Sequence, residues 1–189
     1  MTDEGDGGFR KHNVRRAQAV GPWLLRHREA VSWPIVNGFF EALYREAPAR
    51  TVCAAGYSWG GRYAVLLTHR SRWVLSDQET FREGGLVACA FAATPALLAV
   101  PKEVAAIARP VAFALGDCDE MLSMASVSHL QAALKGDDDK QKAVETEVVV
   151  YNGGTNGFAL RGDLAQQRDK ELFDSAAQQA IGWFRRFLE

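Results

Sequence analysis

Apolar positions recur in two rhythms along this chain. Ile35, Val36, Phe39, Phe40, Leu43 and Tyr44 come as adjacent pairs four apart, which predicts one face of a helix over residues 32–46. Pro48 follows and stops it. The rhythm then changes to short continuous apolar runs: Thr51 to Ala55, Leu86 to Ala92, Val111 to Leu115 just after Pro110, and Glu145 to Tyr151 with Val148, Val149 and Val150. Runs of that length, rich in β-branched residues, predict buried strands. Helices are predicted between and after them, over Gly60 to Thr68, residues 101–108 and residues 123–135. The last helix carries Phe173, Ala176, Ala177, Ala180, Phe184 and Phe187 on one face. Gly136 and the charged run Asp137, Asp138, Asp139, Lys140 predict a solvated loop. Continuous apolar strands separated by helices imply an α/β fold, a mostly parallel sheet flanked by helices. Residues 1–20 hold few large apolar side chains and read as a mobile N-terminal arm, with residues 21–189 as the folded domain.

Composition narrows the function classes. The 189 residues fit one domain, and 48% are hydrophobic, enough for a core. A net charge of -1 gives no electrostatic reason to expect nucleic acid or a membrane surface as partner. No apolar run approaches the roughly 20 residues of a membrane span, and the polar start lacks a signal-peptide core. Cys53, Cys89 and Cys118 are too few and too scattered for a disulfide framework or a zinc site. A reducing, cytoplasmic setting is therefore expected, with no metal. Cys53 and Cys89 fall in apolar strands and read as small core residues.

Candidate chemistry sits at Gly56-Tyr57-Ser58-Trp59-Gly60, a G-x-S-x-G pattern between a predicted strand and a predicted helix. In that context the sharp turn lifts the Ser58 hydroxyl above the sheet, and the backbone N–H of Trp59 can donate to an oxyanion. The competing reading is an ordinary glycine-rich turn with a capping serine. An acid and then a histidine should follow. Gly116-Asp117-Cys118-Asp119 lies directly after a strand, and Asp119 is chosen over Asp117 to orient the third group, against the alternative that both merely cap the next helix. The loop after the last strand, Asn152-Gly153-Gly154-Thr155-Asn156-Gly157-Phe158, contains no histidine. His12 falls in the arm, His27 and His69 read as helix-surface residues, and His129 lies mid-helix.

These segments resemble the dienelactone hydrolase family. Gly56 to Tyr63 is similar to the elbow of its fungal-type members, which usually carry cysteine where Ser58 stands. Leu115 to Asp119 resembles the family's acid loop. Asn156-Gly157-Phe158-Ala159-Leu160-Arg161-Gly162-Asp163 resembles its His-Gly-Phe and Arg-Gly segment, with Asn156 in the histidine's place. The resemblance covers about residues 21–189. It implies a partial α/β-hydrolase fold lacking the N-terminal strands that normally precede the elbow strand. It also implies hydrolysis of a small ester or lactone through an acyl-enzyme on the nucleophile, with no cofactor.

Serine depends on a base, and a neutral amide cannot take its proton. The expected activity is therefore weak or impaired, the alternative being an inactive pseudoenzyme that binds or supports. A lyase or isomerase using Asp119 as base is a third reading that no residue singles out. Arg161 could hold a substrate carboxylate, against the plainer reading of a surface arginine paired with Asp163. An elbow strand without its outer neighbour exposes an edge, which predicts a homodimer or a partner subunit.

Overall fold

Four of the expected strand segments pair side by side. The structure is a computed structural model that describes residues 20–47, 50–70, 85–135 and 144–188. The expected arm up to residue 19, with His12, lies outside the described residues, as do Pro48 and the loop from Gly136 to Lys140. The chain divides between Arg50 and Thr51 into two compact units.

The described residues of the first unit are mostly helical. Residues 20–26 form one helix, and α1 (Glu29–Glu46) begins three residues before the expected position. The apolar pairs do not bury as one stripe: Phe40 and Tyr44 are buried, whereas Ile35 and Phe39 are exposed. His27 stacks on Trp23 with ring centroids 4.2 Å apart and is held by the Trp23 carbonyl.

The second unit carries the sheet. In chain order it runs β1 (Cys53–Tyr57), α2 (Trp59–Leu66), β2 (Cys89–Ala93), β3 (Val111–Gly116), α3 (Met124–Lys135), β4 (Thr146–Tyr151), α4 (Phe158–Arg161) and α5 (Gln167–Leu188). The sheet order is β1-β2-β3-β4 and every pair is parallel. All residues of β2 and β3 are buried, as expected of central strands covered on both faces. Alternate residues supply the two faces. Cys89, Phe91, Ala93, Ala112 and Ala114 form one face of the core, and Ala176, Ala180 and Trp183 of α5 close over it at helical spacing. The small strand residues let that helix approach closely. Phe184 and Phe187 extend the same contact. Between Ala176 and Ala180 on the same helix, Gln179 ties helix to sheet, donating to Glu147 Oε1 at 2.8 Å and accepting from the Tyr151 hydroxyl at 3.0 Å.

Two expectations need correction. Residues 101–108 do not form a helix; they wind as turns and a bridge. The Ala108 N–H donates to Thr68 O at 3.1 Å instead of closing a helical turn, and Ile107 bridges to His69. His69 is accordingly not a surface residue: it is only 2% exposed, drawn in by that bridge. In both cases long-range backbone pairing overrides local propensity.

Candidate active site

The C-terminal ends of the parallel strands gather the candidate residues. β1 ends at Tyr57, and the chain turns sharply into α2 through Ser58, whose φ of 49° and ψ of -117° lie outside the regions common for serine. Such strain costs about 1–3 kcal/mol and persists only where the surroundings enforce it. Here they do. Ser58 N–H donates to Ala93 O at 2.9 Å, and Ser58 O accepts from Gly61 N at 3.0 Å and Ala96 N at 3.0 Å. A side chain at Gly56 would meet the Gly60 carbonyl at 2.2 Å, so only glycine lets helix and strand close to this distance. Trp59 is the first residue of α2, where backbone N–H groups project from the helix end.

Asp119 reaches the same place from the loop after β3. It is 7% exposed, and its Oδ1 accepts the Met121 N–H at 2.7 Å. Burial pushes its carboxyl above the usual aspartate value, against the opposing pull of the Met121 and Asn156 hydrogen bonds. The neighbouring Asp117 is engaged elsewhere, its Oδ1 accepting the Gly153 N–H at 2.6 Å.

That bond belongs to a backbone seam between two loops. Cys118 N–H donates to Gly154 O at 3.0 Å, and a Cβ on Gly116 would stand 2.0 Å from the same oxygen. The seam holds the loop after β4 against the acid loop, and this is what brings Asn156 to Asp119. Asn156 Nδ2 lies 3.4 Å from Asp119 Oδ2 and 3.4 Å from Thr94 O. Its Oδ1 is thereby turned toward Ser58, whose hydroxyl donates to it at 3.2 Å. Ser58, Asn156 and Asp119 thus form one connected line, the three residues that the sequence singled out.

Sequence reasoning missed Thr94. It is buried, has a φ of 43°, offers its carbonyl to Asn156 and accepts the Gly157 N–H on Oγ1 at 3.3 Å. Gly157 has a φ of 90°, a conformation that glycine adopts without strain. No local signal marks Thr94, because its value lies in contacts with residues about sixty positions away. Glu120 was missed too, with Oε2 3.4 Å from Asn156 N. Arg161 reaches back across the turn of α4, its NH2 donating to Asn156 Oδ1 at 3.4 Å, while Asp163 Oδ1 accepts the Ala165 N–H at 3.1 Å.

The remaining titratable candidates stand apart. His129 is exposed on α3, and His69 lies beyond the far end of α2 from Ser58. Cys118 is exposed, and Asp117 beside it pushes its thiol up, which disfavours a reactive thiolate. Among the described residues no group of three or more His, Cys, Asp or Glu could hold a metal ion, and no helix is long and apolar enough to cross a membrane.

Comparison with known proteins identifies a family and a fold. The sequence model of the dienelactone hydrolase family matches residues 35–188. Hydrolase pyvD of Aspergillus violaceofuscus is 22% identical over 167 residues, covering 88% of this chain and 60% of that protein. The crystal structure of a Klebsiella pneumoniae protein described as a dienelactone hydrolase superposes with a TM-score of 0.53 at 18% identity, over 71% of this chain and 52% of the other. The structure of esterase PE8 gives 0.50 at 17% identity, over 82% and 60%. At these identities the structural likeness shows a shared α/β-hydrolase-like fold. The chain spans between half and three-fifths of the length of these relatives.

Proposed function

The chain belongs to the dienelactone hydrolase family, and on that premise we propose that Ser58 is the nucleophile of an ester- or lactone-hydrolysing site whose proton transfer is impaired at Asn156. The observation that carries this reading is the line from Ser58 Oγ through Asn156 to Asp119, at 3.2 Å and 3.4 Å. In a working triad the middle group takes the serine's proton and the acid orients it. Asn156 is oriented in that way, but an amide has no basic site of suitable pKa. Ser58 attacks the acyl carbon as a poorly activated hydroxyl, the Trp59 N–H faces the developing oxyanion, and the guanidinium of Arg161 receives a carboxylate on the substrate. Such a site retains what positioning and oxyanion stabilisation supply and lacks general-base catalysis. Three free thiols fit a reducing, cytoplasmic setting.

The test compares hydrolysis of an activated aryl ester and a simple dienelactone by the parent chain, Ser58→Ala and Asn156→His. General-base catalysis contributes about 10²–10⁴-fold, so Asn156→His should raise the rate by roughly a hundredfold and lose that gain when Ser58→Ala is added. An Asn156→His protein no faster than the parent would falsify the assignment of Asn156 to the base position.

The second reading is a family member that binds or supports without turnover. What favours it is the position of β1: among the described residues it pairs with β2 alone, and Ala55 at its middle is exposed. An edge of that kind suits strand addition by a second copy or a partner subunit. A parent rate equal to buffer, together with a dimer by light scattering, would favour this reading.

A further inference from the structure

β1 and β2 hold more than the elbow. Cys53 and Cys89 are direct partners in the parallel ladder, so their side chains leave the sheet on the same face. Their sulfurs lie 3.3 Å apart, and both are free thiols. Cys89 is fully buried, whereas Cys53 is half-buried at the edge strand. Adjacent strands run about 4.8 Å apart, which suits the backbone separation of a disulfide. Closing the sulfurs from 3.3 Å to bonding distance takes about 1.2 Å, within reach of small side-chain rotations.

We propose that Cys53 and Cys89 form a modification site: a dithiol that peroxide converts to an intramolecular disulfide across the β1–β2 ladder. Cys53 is the entry point, being the partner with solvent access. Its thiol releases a proton to solvent, the thiolate attacks one peroxide oxygen, the O–O bond breaks, and the departing hydroxide takes up a solvent proton and leaves as water, giving a sulfenic acid. The Cys89 sulfur then attacks the Cys53 sulfur, the S–O bond breaks, and the leaving hydroxide takes the Cys89 proton as a second water. Two thiols are oxidised by two electrons and one peroxide is reduced. Burial and the adjacent Cys53 push the Cys89 thiol up, so Cys89 stays protonated and waits as the resolving group. Contact offsets its low thiolate fraction. The bond would join the base of the same two-strand ladder whose top ends at Tyr57 and Ala93, beside Ser58 and Thr94.

The test starts from a Cys118→Ser chain, which removes the exposed thiol. Folded protein is treated with one equivalent of hydrogen peroxide, quenched in denaturant with an alkylating agent, digested and weighed. The expected product is a Cys53 peptide linked to a Cys89 peptide, lighter by two hydrogens than the separate pair, released by reductant, and absent in Cys53→Ala and Cys53→Ser. Its yield should exceed that of the same reaction in denaturant by on the order of tenfold, because the fold supplies the proximity. Equal yields in the two conditions would overturn the proposal. So would alkylation of both cysteines after treatment, or Cys53 carried to a sulfinic acid without a link.

Discussion

Asp119 shows what a single residue contributes and costs at this site. Its carboxyl is buried, and burial raises its pKa even though the Met121 N–H and the Asn156 amide favour the charged form. A raised folded-state pKa means that the folded chain holds this proton more tightly than the unfolded chain. The stability this gives is complete below the unfolded aspartate value of about 3.9 and is lost as pH rises through the folded value. Urea unfolding at successive pH values should therefore show a decline that Asp119→Asn lacks, since the amide cannot ionise. Parallel stability curves for the two proteins would mean that Asp119 is not the source. Asn156 is the complementary case: the orientation of its amide is fixed by the Thr94 carbonyl and the Asp119 carboxylate. The sequence pointed to Ser58, Asp119 and Asn156 because their neighbours form recognisable loops. It was silent on Thr94, which has no such neighbours.

At the scale of elements, α2 is pinned at both sides of the elbow. Its first turn is held by the Ser58 backbone bonds, and Arg62 one turn later, itself partly exposed, meets the buried Glu103, with Nε 2.9 Å from Oε2 and NH2 2.5 Å from Oε1. Glu103 also accepts the Ala99 N–H at 2.9 Å, so the pair fastens the loop after β2 to the helix that follows Ser58. Removing one partner of a fully buried pair costs about 3–5 kcal/mol, an upper bracket for this partly exposed one. Glu103→Gln keeps an acceptor for Ala99 and should fall at the lower end of that range, about 3 kcal/mol, read from the urea midpoint. A loss below about 0.5 kcal/mol would place the pair among surface pairs of little consequence. This loop is also where sequence reading went astray. A helix over 101–108 is reasonable from local propensity, but the segment closes only isolated turns, and it ends in the Ala108 bond to Thr68 and the bridge of Ile107 to His69.

For the molecule as a whole, the sheet depends on α5. Trp183 is 1% exposed and packs with Phe187 at a centroid distance of 5.0 Å, under the Arg186 guanidinium 4.9 Å from its ring. Truncating a buried tryptophan to alanine typically costs about 3–5 kcal/mol, transfer and cavity together. Trp183→Ala should lower the unfolding midpoint by that amount, and the exposed Ile181→Ala should change it little. Similar effects from both would mean that α5 is not docked through this face. The two edges of the sheet differ in kind from its centre: β1 and β4 are partly exposed, whereas β2 and β3 are closed on all sides.

The sequence by itself determined the strand order, the parallel sheet flanked by helices and the sharp turn from strand to helix at Ser58. These rest on local periodicity and turn chemistry, which a chain carries in its own neighbours. Strand limits moved by up to three residues because pairing register, rather than apolar run length, decides where a ladder starts. Only the tertiary structure decided the rest. It set Asp119 against Asn156 and occupied Asp117 with Gly153, through a backbone seam at Gly116 and Gly154. It turned Asn156 toward Ser58, buried His69, gave Thr94 its contacts, and set Cys53 beside Cys89. Each of these is a meeting of residues tens of positions apart, fixed by sheet register and loop packing, and no window of sequence contains both partners.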